Sequence, residues 1–311
     1  MSDIRNQAFA KANQSRSMSG SDAYSSYWKK WVSSFDFFDP ETNLRKIYGD
    51  YYTPVRWHSK NIILRVLVSL EIFVTNILSS PKYYFAAVVR RSYWKLSQTS
   101  RRQKRHMNFA NIIALSAFNF ICSKAKPKSQ TICIIGDGAS NFVSLCLSAP
   151  EQFKKIISIN LPEVHLVELE MILRSGVAES DLKIVDSKAG ASEFIASDSK
   201  VAIVSAEDVN CLLGTKIDVF VNMSSMQEMT KEAISEYFDL ISGNGSLFYC
   251  CNRKEKKLPD GTIIRFDEYP WGSAKFLIKE VCPWMRKTMN LTRPFIRRQE
   301  VHVHALAKFA K

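Results

Sequence analysis

No Cys-x-x-Cys pair occurs among the seven cysteines of this 311-residue chain, at positions 122, 133, 146, 211, 250, 251 and 282. Their number is odd and most sit inside apolar segments. Neither a disulfide framework nor a zinc site is expected, and reduced, buried thiols in a cytoplasmic protein are. His302 and His304 have no carboxylate or thiol beside them at a ligand spacing, so no metal is expected there either. The first 20 residues lack an apolar core, so no secretory signal is expected. No uninterrupted run is long enough to cross a bilayer, which takes about 20 apolar residues. The most hydrophobic stretch, 62–89, is broken by Arg65, Glu71, Asn76, Pro81 and Lys82. Acidic residues are missing altogether between Glu71 and Asp137.

What is present is unevenly spread. Residues 1–130 hold 21 Lys and Arg against 7 Asp and Glu, whereas residues 131–311 hold 22 against 23. A basic N-terminal part therefore precedes a near-neutral C-terminal domain. The N-terminal part divides into a polar tail over 1–20, expected to be disordered, and a helical region over 21–130. There Tyr24, Tyr27, Trp28, Trp31 and Phe35 recur at helical spacing and give one helix an aromatic face. Helical patterns follow over 44–53, 61–79, 81–97 and 106–122, with Pro54 and Pro81 as breaks. The densest positive run is Arg90, Arg91, Lys95, Arg101, Arg102, Lys104 and Arg105, with Tyr93 and Trp94 among them. With the neighbouring apolar segment it suits peripheral contact with an anionic membrane through residues 62–105. It suits the phosphates of an activated sugar as well, and a solvated helix face is the plainer alternative. Nucleic acid ranks last, because no nucleic-acid module is recognisable.

From Thr131 to the end the grammar changes to short apolar runs alternating with amphipathic helices, the pattern of an α/β sheet with helices on both faces. Strands are expected at 131–135, 156–159, 201–204, 217–222, 246–251 and 300–308, with a weaker one at 262–266. Helices are expected near 140–149, 163–175, 229–242 and 273–282. The first strand runs into Gly136-Asp137-Gly138, a tight turn opening a helix, where the missing side chains let backbone approach a ligand. A dinucleotide loop would place a third glycine where Asn141 stands.

The segment from Asn222 to Trp271 carries the most chemistry. It reads Asn222-Met-Ser-Ser-Met-Gln-Glu-Met229, then a helix, then Phe248-Tyr-Cys-Cys-Asn-Arg253, then Leu258-Pro-Asp-Gly261 and Arg265-Phe-Asp-Glu-Tyr-Pro-Trp271. Asn222, Ser225, Gln227 and Glu228 cluster at a strand end, where ligands of α/β sheets sit. Arg253 closes the next strand. Arg265, Asp267, Glu268, Tyr269 and Trp271 combine a cation, carboxylates and aromatic faces, a mixture that suits a carbohydrate rim. Ser225 with Glu228 reads equally as a capping box.

These stretches resemble the bacterial sugar O-methyltransferase family, of the class I S-adenosylmethionine-dependent superfamily. The resemblance covers 131–308 and, more faintly, Tyr27-Trp28. It implies a Rossmann-like mixed sheet ending in a strand pair with one antiparallel member. It implies S-adenosylmethionine held by Gly136, Asp137 and Gly138, by Asn160 and Glu163 at the ribose, and by Glu207 and Asp208 at the adenine. Its members show an acidic residue and a further glycine where this chain has Ile134 and Ser140. They have Asp where Asn160 stands. Glu163, Glu207 and Asp208 read also as helix-start residues. The implied activity is methyl transfer to a hydroxyl of a sugar or glycan that is nucleotide- or lipid-linked or polymer-bound. The enzyme would be cytoplasmic, with Glu228 as the base that a weakly nucleophilic hydroxyl needs. Two other readings stay open: a nicotinamide-dependent sugar oxidoreductase, disfavoured by Asn141 and by the lack of a Tyr-x-x-x-Lys pair after the fourth strand, and a non-catalytic binding module on the same fold.

Overall fold

The computed structural model describes residues 3–18, 25–32, 91–103, 109–138, 140–285 and 301–310. Strand β1 (Gln130–Ile135) lies mid-sheet because its run Ile132-Cys-Ile-Ile offers apolar side chains to both faces. Ile132 and Ile134 enter one buried cluster with Phe118, Phe142 and Leu145, whereas Cys133 and Ile135 enter the other with Phe194, Phe238 and Phe248. This is the two-residue period of a strand. The first cluster is closed by helices α3 (Arg91–Arg102), α4 (Phe109–Ala125), α5 (Asn141–Leu147) and α6 (Pro162–Arg174). The second is closed by α7 (Lys188–Ala196) and α8 (Lys231–Asn244).

The eight-stranded sheet has the order β3-β4-β2-β1-β5-β6-β10-β9. Its members are β2 (Phe153–Asn160), β3 (Leu182–Ile184), β4 (Val201–Ser205), β5 (Val219–Met223), β6 (Leu247–Arg253), β9 (Lys275–Val281) and β10 (His302–Lys308). Strands β1 to β6 pair in parallel. Strand β10 is antiparallel to both β6 and β9. The sheet is therefore the Rossmann-like, class I methyltransferase arrangement, with the expected antiparallel member in its terminal pair. A separate hairpin, β7 (Glu255–Lys257) with β8 (Ile263–Arg265), leaves the carboxyl end of β6. From β1 the chain steps to β2 and on to the edge strand β3, comes back in as β4, then crosses to β1's other side as β5. That reversal opens a crevice above the carboxyl ends of β1, β2 and β5.

Two expectations are corrected. The helix expected at 273–282 is strand β9, whose identity comes from its ladder with β10, a partner some 25 residues on, rather than from local preference. Within the tail expected to be disordered, residues Asp3–Met18 form helix α1. Ile4, Ala8 and Ala12, spaced by four, are its buried stripe. Of the aromatic helix, Ser26–Val32 is α2. The patterns at 44–53 and 61–79, residues 81–90 and the apolar segment 62–89 lie outside the described residues. No helix among the described residues is long and apolar enough to cross a membrane.

Candidate active site

The crevice holds a cavity of about 790 Å³. The glycine loop after β1 forms its floor. Gly136 has φ of +75° and Gly138 +61°, left-handed values that glycine adopts without strain. A β-carbon on Gly136 would stand 1.9 Å from Ser225 Oγ and 2.4 Å from Ser225 Cβ. The space freed by this glycine is thus filled by Ser225, which couples the loop to the end of β5. The Asp137 carboxylate accepts the Phe142 N–H at 2.8 and 3.0 Å and the Val143 N–H at 2.8 Å. It caps α5, fixing the loop against that helix.

At the end of β2, Asn160 lines the cavity and donates its Nδ2 to Glu168 Oε2 at 2.9 Å. Ser158 Oγ donates to the other oxygen of that carboxyl. Burial pushes Glu168 up to about 8 and His165 down to about 3, so a neutral acid and a neutral imidazole support Asn160 from below. His165 Nε2 accepts the Asn160 N–H at 3.1 Å. Glu163 is fully buried in the first turn of α6 and does not line the cavity. After β4, Glu207 lines the cavity, while Asp208 pairs with Lys11 of α1 at 2.7 Å.

At the end of β5 the polar residues divide by role. Asn222 Nδ2 donates to the Ile135 carbonyl at 2.9 Å, and its Oδ1 accepts from Asn252 Nδ2 at 2.8 Å and Met226 N at 3.3 Å. Gln227 Oε1 accepts the Arg253 N–H at 2.7 Å, and its own N–H goes to Asn252 Oδ1 at 3.2 Å. Both side chains are buried and outside the cavity wall, where they lock the ends of β1, β5 and β6 together. Replacing Asn222 by alanine strands a carbonyl, an N–H and an amide. We expect a loss of about 3 kcal/mol in urea unfolding, roughly 1 kcal/mol for each of the three orphans, the low end of the usual cost because water can enter the space the amide leaves.

The lock presents Ser225 and Glu228 to the cavity. Ser225 makes no side-chain cap; Thr230 caps α8 instead, accepting the Ala233 N–H at 3.2 Å. Burial raises the Glu228 carboxyl to about 7, against the opposing pull of Lys256 and Arg253. Lys256 Nζ lies 3.7 Å from Glu228 Oε1 and 5.1 Å from the centre of the Tyr27 ring. Helix α2 lies over this corner: Ser25 Oγ donates to the Glu228 carbonyl, and Tyr27 and Trp28 face the cavity edge to face, 5.7 Å apart.

The expected rim is arranged differently. Tyr269 and Trp271 are buried, packed with Phe238, Phe248 and Phe266 in the core cluster on the α8 side of the sheet. Arg265 is exposed and pairs with Glu255 and Glu268, and Asp267 pairs with Lys279. Arg253, Arg265 and Asp267 line a second concavity, beside the hairpin β7–β8. Of the sequence-derived candidates, the structure brings Gly136, Asp137, Gly138, Asn160, Glu207, Ser225 and Glu228 to one cavity. It adds residues not singled out for the site: Tyr27, Trp28, Glu232 and Glu236. The signal for these two glutamates was there, since Glu232 and Glu236, spaced by four within α8, share one helix face.

One property of the wall stands out. Asp137, Glu207, Glu228, Glu232 and Glu236 are five carboxylates, and among the described residues no Lys, Arg or His lines the cavity. In a chain of net charge +13 that is a local inversion of sign.

No protein-family model matches this chain, and no curated protein matches it. Among solved structures, it is similar to an S-adenosylmethionine-dependent methyltransferase from Clostridium acetobutylicum, at 10% identity and a TM-score of 0.42 over 66% of this chain and 93% of that one. It is similar to a Thermoplasma acidophilum protein at 9% identity and a TM-score of 0.42, over 64% and 89% of the two chains. A structure described as MtNAS in complex with MTA and tNA is 9% identical at a TM-score of 0.40, over 99% and 98%. Identity at this level carries no information about substrate.

Proposed function

We propose that the protein is an S-adenosylmethionine-dependent O-methyltransferase acting on a sugar hydroxyl. The observation that carries this is Glu228, a carboxylate raised to about 7 on the wall of the cavity above the glycine loop. A base of that strength takes the hydroxyl proton as the oxygen is methylated, and sheds it again near neutral pH. Bound S-adenosylmethionine supplies a methyl group on a positively charged sulfur. An acid-lined wall without cations suits such a group. Asn160, its Nδ2 committed to Glu168, keeps its side-chain oxygen as an acceptor for a ribose hydroxyl, and Glu207 offers a second acceptor farther along. Tyr27 and Trp28 supply the aromatic faces on which sugar C–H groups stack, the role first assigned to Tyr269 and Trp271.

Titration of the purified chain with S-adenosylhomocysteine in a calorimeter tests the cofactor half of the reading. Saturable binding at one site is the expected outcome. Absence of binding sinks the proposal, and binding of NADH in its place favours the oxidoreductase reading.

A further inference from the structure

The cation-free cavity leaves a chemical problem. If the acceptor sugar is attached to a phosphate carrier, the phosphates find five carboxylates and no cation there, and like charges repel. They must lie outside, yet close to Glu228. A concavity of about 680 Å³ meets that requirement. It is lined by Arg253, Lys254, Lys256, Lys257 and Arg265, against only Glu255 and Asp267.

Both acids are already answered. Arg265 Nε bonds Glu255 at 2.8 Å, and Lys279, from outside the concavity, bonds Asp267 at 2.7 Å. Among the described residues Lys254 and Lys257 pair with no carboxylate, and both are exposed. Arg265 also bonds Glu268 at 2.9 Å and Lys256 faces Glu228, so Lys254 and Lys257 are the cations that carry the positive excess there. Lys256 forms the wall between the two spaces: it lines the basic one and stands 3.7 Å from Glu228, which lines the acidic one. The hairpin β7–β8 builds this arrangement, because it continues β6 past the carboxyl edge of the sheet, beside the turn that carries Glu228.

We propose that this basic concavity is a diphosphate subsite, which holds the anionic carrier of the sugar while the sugar itself reaches across Lys256 to Glu228. The subsite stands on its own geometry; only the sugar's position rests on the methyl-transfer reading. A nucleoside diphosphate and a prenyl diphosphate share the chemistry it recognises.

The test is calorimetric titration of the full chain with inorganic pyrophosphate, uridine diphosphate, geranyl diphosphate and, separately, S-adenosylhomocysteine. The same titrations are run on the double variant Lys254→Ala/Lys257→Ala, whose exposed side chains are dispensable for folding. Pyrophosphate is expected to bind the parent chain and to bind the variant at least about tenfold more weakly, since charge-assisted contacts are lost. S-adenosylhomocysteine affinity is expected to be the same in both. Further tightening with the uridine or the prenyl group identifies the carrier and supports the subsite. No pyrophosphate binding, or equal binding to both chains, overturns it. If pyrophosphate binds as expected and S-adenosylhomocysteine does not, the methyl-transfer reading fails while the subsite stands.

Discussion

Glu228→Gln is expected to lower kcat by 10²- to 10⁴-fold, the usual contribution of a general base, while S-adenosylhomocysteine affinity is unchanged. The amide keeps the shape of the side chain but cannot accept the hydroxyl proton. For the parent enzyme, kcat/KM should rise with pH through about 7, as the carboxylate forms, and then level off. The residual activity of the variant should lack that rise. Activity of the variant within a few-fold of the parent would exclude Glu228 as the base. Stability should move the other way. The folded-state value near 7 lies above the ordinary 4.5, so between those values the native chain holds a proton that the unfolded chain has released. The stability owed to the neutral form is fully present below pH 4.5 and is lost as pH rises through about 7, roughly 3 kcal/mol in all. The amide has no charge to desolvate. Above pH 7 Glu228→Gln should therefore unfold at higher urea, by up to that amount, in which the pull of Lys256 and Arg253 is already included. A base held at the expense of stability is a common signature of active sites.

The sheet was largely legible because its parallel strands are continuous apolar runs bounded by polar turns, as in Ile156-Ile-Ser-Ile159 and Val201-Ala-Ile-Val204. Elements defined by their partners were not. Lys275–Val281 has apolar residues at both strand and helix spacings, with Phe276 and Leu277 exposed at the sheet edge, and only the β10 ladder decides between them. Helix α1 buries chiefly alanines, too weakly apolar to mark a face. In the site, Glu228 was legible from its place at a strand end. Tyr269 and Trp271 were misleading because neighbouring charges suggested a surface. The turn there points the rings into the core, while Arg265, Asp267 and Glu268 pair with one another and with nearby lysines. The sign inversion between cavity and concavity was legible only in part: the basic lining is nearly all the segment 253–267, but Asp137 and Glu207 reach the acidic wall from loops far apart in sequence.

Gly136→Ala is expected to have the largest effect on folding. Its cause is separable into two parts. An alanine at φ of +75° costs roughly 1–2 kcal/mol for the left-handed backbone alone. Its β-carbon would also overlap Ser225 at 1.9 Å from Oγ and 2.4 Å from Cβ. Rotating Ser225 about χ1 moves Oγ but not Cβ, so the backbone of one loop must shift. That backbone matters, because the Ser225 carbonyl accepts the Glu228 N–H at 2.9 Å and so sets where the base stands. We expect a total loss of about 3 kcal/mol or more in urea unfolding, with kcat reduced in the surviving folded fraction. The double variant Gly136→Ala/Ser225→Gly removes the overlapping atoms and keeps the strained φ. It should recover all but about 1–2 kcal/mol. If the double variant is as unstable as the single one, contact with Ser225 is not what this position requires, and the coupling between the glycine loop and Glu228 falls with it.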